Sequence, residues 1–165
     1  QIMILGHNKN LLKYLFDAID YRNIASVGYY VGGMKEKDLK ISETKKVIIG
    51  TYAMAEEGLD IKTLTTLLMA TPRVDVTQAV GRILRKKDHE AVVIDIIDSH
   101  AIFQRHWDKR RKFYQRQKFN IKLTSTKNYK KNIWNNLFKD GKKVKVKAPK
   151  IKSDLVLTGK CLILE

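Results

Sequence analysis

Residues 75–86 read DVTQAVGRILRK, and the way this stretch divides decides the fold. Wound as a helix, Val76, Ala79, Val80, Ile83 and Leu84 recur at the spacing of a buried stripe. Gln78, Gly81, Arg82 and Arg85 stand at i, i+3, i+4 and i+7, so they share the opposite face. A glycine inside a helix costs about 1 kcal/mol relative to alanine. Close approach of a partner to the bare backbone is the return that would offset it. Two arginines beside it add fixed charge and planar donor forks suited to phosphate. A simpler account covers part of this: Asp75 and Gln78 match an N-terminal capping box, D-x-x-Q. That account leaves Gly81, Arg82 and Arg85 unexplained.

Such a helix needs a sheet on which to bury its stripe. Residues 2–5, 25–31, 47–50, 64–70 and 91–97 are apolar or β-rich runs that read as strands. Between them, residues 10–21 place Leu11, Leu12, Leu15, Phe16 and Ile19 on one helical side, and 34–46 and 52–57 suit short helices. Strands alternating with helices imply parallel pairing with helices on both faces, a doubly wound α/β lobe. Ligands of such a lobe sit beyond the carboxyl ends of its strands. Residues 101–119 predict a long helix with Phe103, Trp107 and Tyr114 on one side and Arg105, Lys109, Arg110, Arg111, Lys112, Arg116 and Lys118 on the others. Beyond it, 142–147 (KKVKVK) alternates as a strand would, and 154–158 and 161–164 are apolar enough to pair. The expected organisation is a lobe with its C-terminal helix over 1–122 and a small lysine-rich appendage over 123–165, in which Tyr129 and Trp134 serve packing more than base stacking.

The chain has 165 residues with 33 Lys or Arg against 17 Asp or Glu, a net charge of +16. Residues 101–152 hold 18 of the basic residues and only two acidic ones, Asp108 and Asp140, so this stretch carries the whole excess. The asymmetry points to a polyanion partner, nucleic acid above all. No run of eighteen apolar residues occurs, so no membrane span is expected. Cys161 is the sole cysteine, which excludes an internal disulfide and fits a reducing compartment. The chain opens on Gln1 and an apolar run, and is expected to be a monomeric piece of a longer protein.

Three further segments suit phosphate contacts. TYAMAEEGLD (51–60) follows a strand with a hydroxyl and one helical turn closed by Gly58; Thr51 suits a nucleic-acid phosphate and Asp60 a ribose hydroxyl, or each is a cap. Gly32-Gly33-Met34-Lys35 lets a backbone amide touch phosphate with Lys35 adding charge, or is simply a turn. His7 and Asn8 end the first strand, in the topological place for similar contacts.

Together these segments resemble the second RecA-like lobe of superfamily 2 helicases. Residues 2–6 resemble motif IV, 51–60 motif V, and QAVGRILR (78–85) matches motif VI, Q-x-x-G-R-x-x-R, at every defined position. Gly32-Gly33-Met34, VIIGTYAMAEEGLDI (47–61) and the run over 91–119 resemble the UvsW and XPB-like DNA helicases and their relatives in large DNA viruses. The resemblance covers about residues 1–122. It implies an ATP-dependent DNA helicase or translocase in which Gln78, Arg82 and Arg85 face the ATP γ-phosphate. Gly58, Asp60 and Gly81 shape the nucleotide side. His7, Asn8, Gly33, Lys35 and Thr51, with Arg110 and Arg111 of the basic helix, meet single-stranded or forked DNA. ATP and Mg2+ would be held mainly by an N-terminal RecA-like lobe, since no G-x-x-x-x-G-K-[ST] and no acidic Mg2+-binding motif occurs here. The piece alone is therefore expected to be inactive, with no metal site of its own. The implied location is cytoplasm or nucleus, or a viral factory or virion for a viral chain. The rival reading is a non-catalytic nucleic-acid-binding module derived from such a lobe; a restriction-enzyme or chromatin-remodelling motor shares the same architecture.

Overall fold

A computed structural model describes residues 1–57, 61–83, 90–144 and 160–164. The chain divides into two compact units, Gln1–Thr71 with Thr77–Ala91, and Pro72–Val76 with Val92–Glu165.

The first unit contains β1 (Ile2–Gly6), α1 (Lys9–Tyr21), β2 (Val27–Tyr30), α2 (Glu36–Glu43), β3 (Val47–Thr51), α3 (Tyr52–Glu57), β4 (Thr66–Met69) and α4 (Thr77–Ile83). Its strands are all parallel in the order β2-β3-β1-β4. Ile4 pairs with Ile49 on one side and Leu68 on the other, so all three point to one face. There Ile4, Val27, Val47 and Ile49 pack with Leu12 of α1, flanked by Leu15, Phe16 and Ile19. Phe16 stacks on Tyr29 with ring centroids 4.2 Å apart. Met3, Leu5, Ile48, Leu67 and Met69 point the other way and are equally buried. On that face the Tyr30 hydroxyl donates to Glu43 at the end of α2. Helices thus cover both faces, which is why β1 and β3 read as unbroken apolar runs and not as alternations.

The second unit contains β5 (Val92–Ile97), α5 (Ala101–Arg116), β6 (Ile121–Ser125), α6 (Thr126–Tyr129), β7 (Asn135–Lys139), β8 (Lys142–Lys143) and β9 (Lys160–Leu164). These strands are antiparallel in the order β5-β9-β6-β7-β8. The boundary expected between 122 and 123 runs through β6. Of the strands anticipated past residue 120, 161–164 lie in β9 and 142–143 form β8; residues 145–147 and 154–158 fall outside the described residues. Strands β6 and β7 carry few apolar residues, and only Ile121, Thr124 and Phe138 of them are buried. Tyr129 and Trp134 meet edge to face at 5.8 Å, and the Trp134 indole N–H donates to Asn132.

Candidate nucleotide and nucleic-acid site

Helix α4 is one-sided. Ala79, Val80 and Ile83 are buried, and so is Val76 just before it. Gln78 and Gly81 are exposed and Arg82 is half-buried on the opposite side. Among the described residues outside its own helix backbone and chain neighbours, a Cβ placed on Gly81 would meet no atom within 4 Å, which leaves room there for a partner. The Arg82 guanidinium donates to the Glu56 carbonyl at 3.1 Å, which ties α4 to the end of α3. Its charge reaches Tyr30: burial pushes that phenol above its usual value, the bond to Glu43 adds to the shift, and Arg82 opposes it. Leu84, Arg85, Gly58 and Asp60 lie outside the described residues.

Parallel register brings the strand ends to one edge. Gly6 pairs with Thr51, Tyr30 with Gly50 and Leu5 with Met69, so His7, Gly32-Gly33, Thr51 and Thr71 all leave the sheet at its carboxyl edge. The His7 amide donates to the Thr71 hydroxyl at 3.0 Å, and the His7 ring lies 4.7 Å from the ring of Tyr52. Tyr52 is buried, and its hydroxyl donates to the Thr71 carbonyl at 2.7 Å. Tyr52 and Thr71 therefore lock the ends of β1, β3 and β4 together, a role for Tyr52 not anticipated from the sequence. The surviving signal was a polar hydroxyl inside a buried helical turn, which requires a partner.

Asn8 is exposed, and its side-chain carbonyl accepts from the amides of Asn10 and Leu11, capping α1. Gly33 is exposed at φ 89°, a left-handed conformation that L side chains rarely adopt. Lys35 is exposed and precedes α2 without a side-chain cap. Thr51 is half-buried, with its hydroxyl 3.5 Å from the Met54 amide.

Arg110 overturns its expected role. Its side chain is fully buried, with Nε 2.6 Å and Nη2 2.9 Å from the two oxygens of Asp95. Its Nη1 donates to the Arg73 carbonyl at 2.5 Å, and the Tyr114 hydroxyl donates to Asp95 at 3.3 Å. A guanidinium so enclosed cannot reach a phosphate. The spacing Phe103, Trp107, Arg110, Tyr114 is i, i+4, i+7, i+11, so Arg110 stands on the buried stripe; position, not residue type, decides its role. Asp95 alternates with buried Val93 and Ile97 along β5, which is the matching signal on the strand. Burial pushes the Asp95 carboxyl up, and the Arg110 guanidinium pulls against it. Arg111 is partly exposed and pairs with Asp108 at 2.9 Å. Among the described residues, no group of three or more His, Cys, Asp or Glu is placed to hold a metal ion, and no helix is long and apolar enough to cross a membrane.

No protein-family model matches the chain. "Uncharacterized protein 108L" of Invertebrate iridescent virus 3 is 42% identical over 71 residues, which are 42% of this chain and 68% of that protein. The chain belongs to the family of 108L. It is also 42% identical over 132 residues to "Putative ATP-dependent RNA helicase L396" of Acanthamoeba polyphaga mimivirus, an alignment covering 76% of this chain. The match spans only 25% of the mimivirus protein's length. In structure, the C-terminal part of the Fun30 ATPase domain superposes with a TM-score of 0.56 at 12% identity, over 66% of this chain and 38% of that one. The parallel sheet wrapped by helices is the RecA-like α/β fold expected from the sequence.

Proposed function

We propose that this chain is the C-terminal motor lobe of an ATP-dependent DNA helicase or translocase of the UvsW and XPB-like kind. The observation that carries the proposal is the division of α4: its apolar side is consumed by the fold, while Gln78 and Gly81 are exposed on the other side with Arg82 half-buried beside them. In this reading ATP and Mg2+ are held mainly by an N-terminal RecA-like lobe of the same protein, and the chain alone turns over no ATP. Arg82 and Arg85 stabilise charge developing on the transferring γ-phosphoryl group, and Gln78 helps orient it. Gly58 and Asp60 border the nucleotide. His7, Asn8, Gly33, Lys35 and Thr51 hold the DNA backbone at the carboxyl edge of the first unit, and Arg111 of α5 makes a separate phosphate contact. Because nucleotide contacts differ between open and closed lobes, hydrolysis resets the grip on the strand.

The name of the mimivirus relative specifies RNA, so RNA is the second reading of the substrate. The test is ATP turnover of the full-length protein with single-stranded DNA, forked DNA or RNA as activator. DNA stimulation lost in Arg82→Ala supports the proposal; stimulation by RNA alone transfers it to RNA. Turnover unaffected by Arg82→Ala and Arg85→Ala overturns the motor assignment and favours a non-catalytic nucleic-acid-binding module.

A further inference from the structure

With Arg110 withdrawn into the interior and Arg111 paired to Asp108, the charge that α5 shows to solvent lies elsewhere. Arg105, Lys109, Lys112 and Arg116 follow one another at i, i+4, i+7 and i+11, and all four are exposed. Among the described residues none of the four has an ion-pair partner. Lys109, Lys112, Gln115 and Arg116 border one surface hollow. At 1.5 Å rise per residue the row is about 16 Å long.

The row does not end with the helix. The turn between β7 and β8 is seated on its C-terminus: Gly141, at φ 74°, lies so close that a Cβ there would come within 2.8 Å of the Gln115 carbonyl. The Asp140 amide donates to the side chain of Asn120 at 2.9 Å, holding the turn from the other side. Lys139, Lys142 and Lys143 of that hairpin are exposed, as is Lys118 at the helix exit. Asp140 is the one described carboxylate on this extension; Asp108 is occupied by Arg111.

We propose that this ridge binds the sugar–phosphate backbone of a nucleic-acid duplex without reading sequence. Duplex DNA presents a phosphate every ~3.4 Å along each strand, so a row about 16 Å long spans several of them. Sites for single strands add aromatic faces on which bases stack. On α5 no aromatic ring is fully exposed: Trp107 and Tyr114 are buried, and Phe103 and Phe113 are half-buried. The chemistry left is positive charge alone, which suits an unopened helix. The inference rests on the reading that this chain works on nucleic acid and is independent of the nucleotide role of Arg82.

The test is fluorescence anisotropy of the whole chain with mixed-sequence DNA duplex, RNA duplex and single-stranded DNA over a salt series. Replacing Arg105, Lys109, Lys112 and Arg116 by Gln is expected to lower duplex affinity at least about tenfold and to reduce the slope of log K against log salt by about 3–4, one step per lost phosphate contact. A matched variant removing Lys145, Lys147, Lys150 and Lys152 by Gln controls for bulk charge. All four ridge residues are exposed, so the thermal unfolding transition reports whether the variant is folded. Equal weakening by the two variants, or no binding of either duplex by the parent chain, overturns the proposal. The relative loss on DNA and RNA duplexes identifies which helix the ridge meets. If ridge variants keep duplex affinity while Lys35→Gln weakens single-strand binding, the ridge fails and the motor reading stands.

Discussion

On α4, Arg82 is half-buried and its guanidinium reaches the Glu56 carbonyl, beside the exposed positions Gln78 and Gly81. On α5, Arg110 is enclosed, with both carboxylate oxygens of Asp95 and the Arg73 carbonyl filling its donor fork. Both arginines looked like phosphate ligands in the sequence. The difference lies in which side of the helix each occupies: Arg82 stands opposite an apolar stripe and Arg110 stands in one. An arginine inside a stripe has its donors spent by the interior; Arg82, off the stripe, sits half-buried at the surface and ties α4 to α3.

The largest expected effect sharpens this contrast from the chemical side. In the full-length protein, Arg82→Ala should cut ATP turnover by about 10³-fold, the low end for arginine fingers. Single-strand affinity without nucleotide and the denaturation midpoint should stay near the parent values. Arg110→Ala should do the reverse, leaving turnover per folded molecule nearly unchanged. Steady-state ATPase and urea denaturation of both variants decide it; a large catalytic loss in Arg110→Ala at unchanged stability would erase the distinction.

Next comes stability. Arg110→Ala strands the Asp95 carboxyl in the interior and is expected to cost about 3–5 kcal/mol, whereas the paired change Asp95→Leu with Arg110→Met should recover most of it. The pH dependence has a definite sign. Burial already raises the Asp95 carboxyl above its ordinary range, and Arg110 opposes that shift. Without Arg110 the folded-state value rises further above the unfolded value of about 4. The contribution of such a group is complete below the unfolded value and falls as pH climbs through the folded one. Arg110→Ala should therefore regain stability as pH is lowered from neutral toward about 4, relative to the parent chain, in urea titrations at each pH.

The same contrast explains how far the sequence could be read. Strands β1 and β3 were legible because a sheet covered on both faces demands unbroken apolar runs, and Met3–Leu5 and Val47–Ile49 supply them. The two-sidedness of α4 was legible because Gln78, Gly81 and Arg82 are spaced away from the stripe of Ala79, Val80 and Ile83, and that stripe is the side that is buried. The Asp95–Arg110 pair was not, because each partner makes sense only with the other and they lie 15 residues apart in the chain. Strands β6 and β7 escaped because few of their residues are apolar or buried, and they are organised by pairing, β6 with the distant β9 and β7 with β6.

A smaller effect concerns Asn8, whose side chain the fold also uses. Asn8→Ala should cost about 1 kcal/mol through loss of the α1 cap, and Asn8→Ser should restore it. Lys35→Ala, at an exposed position with no cap bond, should stay within about 0.5 kcal/mol of the parent. Single-strand affinity then separates the two uses of Asn8. If Asn8→Ser is as stable as the parent and binds as well, Asn8 acts only as a cap; a fully stable Asn8→Ser that binds weakly would give Asn8 a strand contact as well.

Gly81 offers the subtlest break. Among the described residues, its own helix backbone and chain neighbours aside, nothing lies within 4 Å of the place a methyl would occupy, so Gly81→Ala should be accepted without displacement. Alanine is the better helix former by about 1 kcal/mol, and thermal unfolding of this chain should move upward accordingly. In the full-length protein, a phosphate or facing lobe that approaches the bare backbone would meet that methyl, and turnover should drop while stability rises. Opposite signs in the two measurements mark a position kept open for a partner at the expense of its own helix. A variant that is both more stable and fully active would mean that nothing comes close to Gly81, and would leave Arg82 to carry the nucleotide reading of α4 without it.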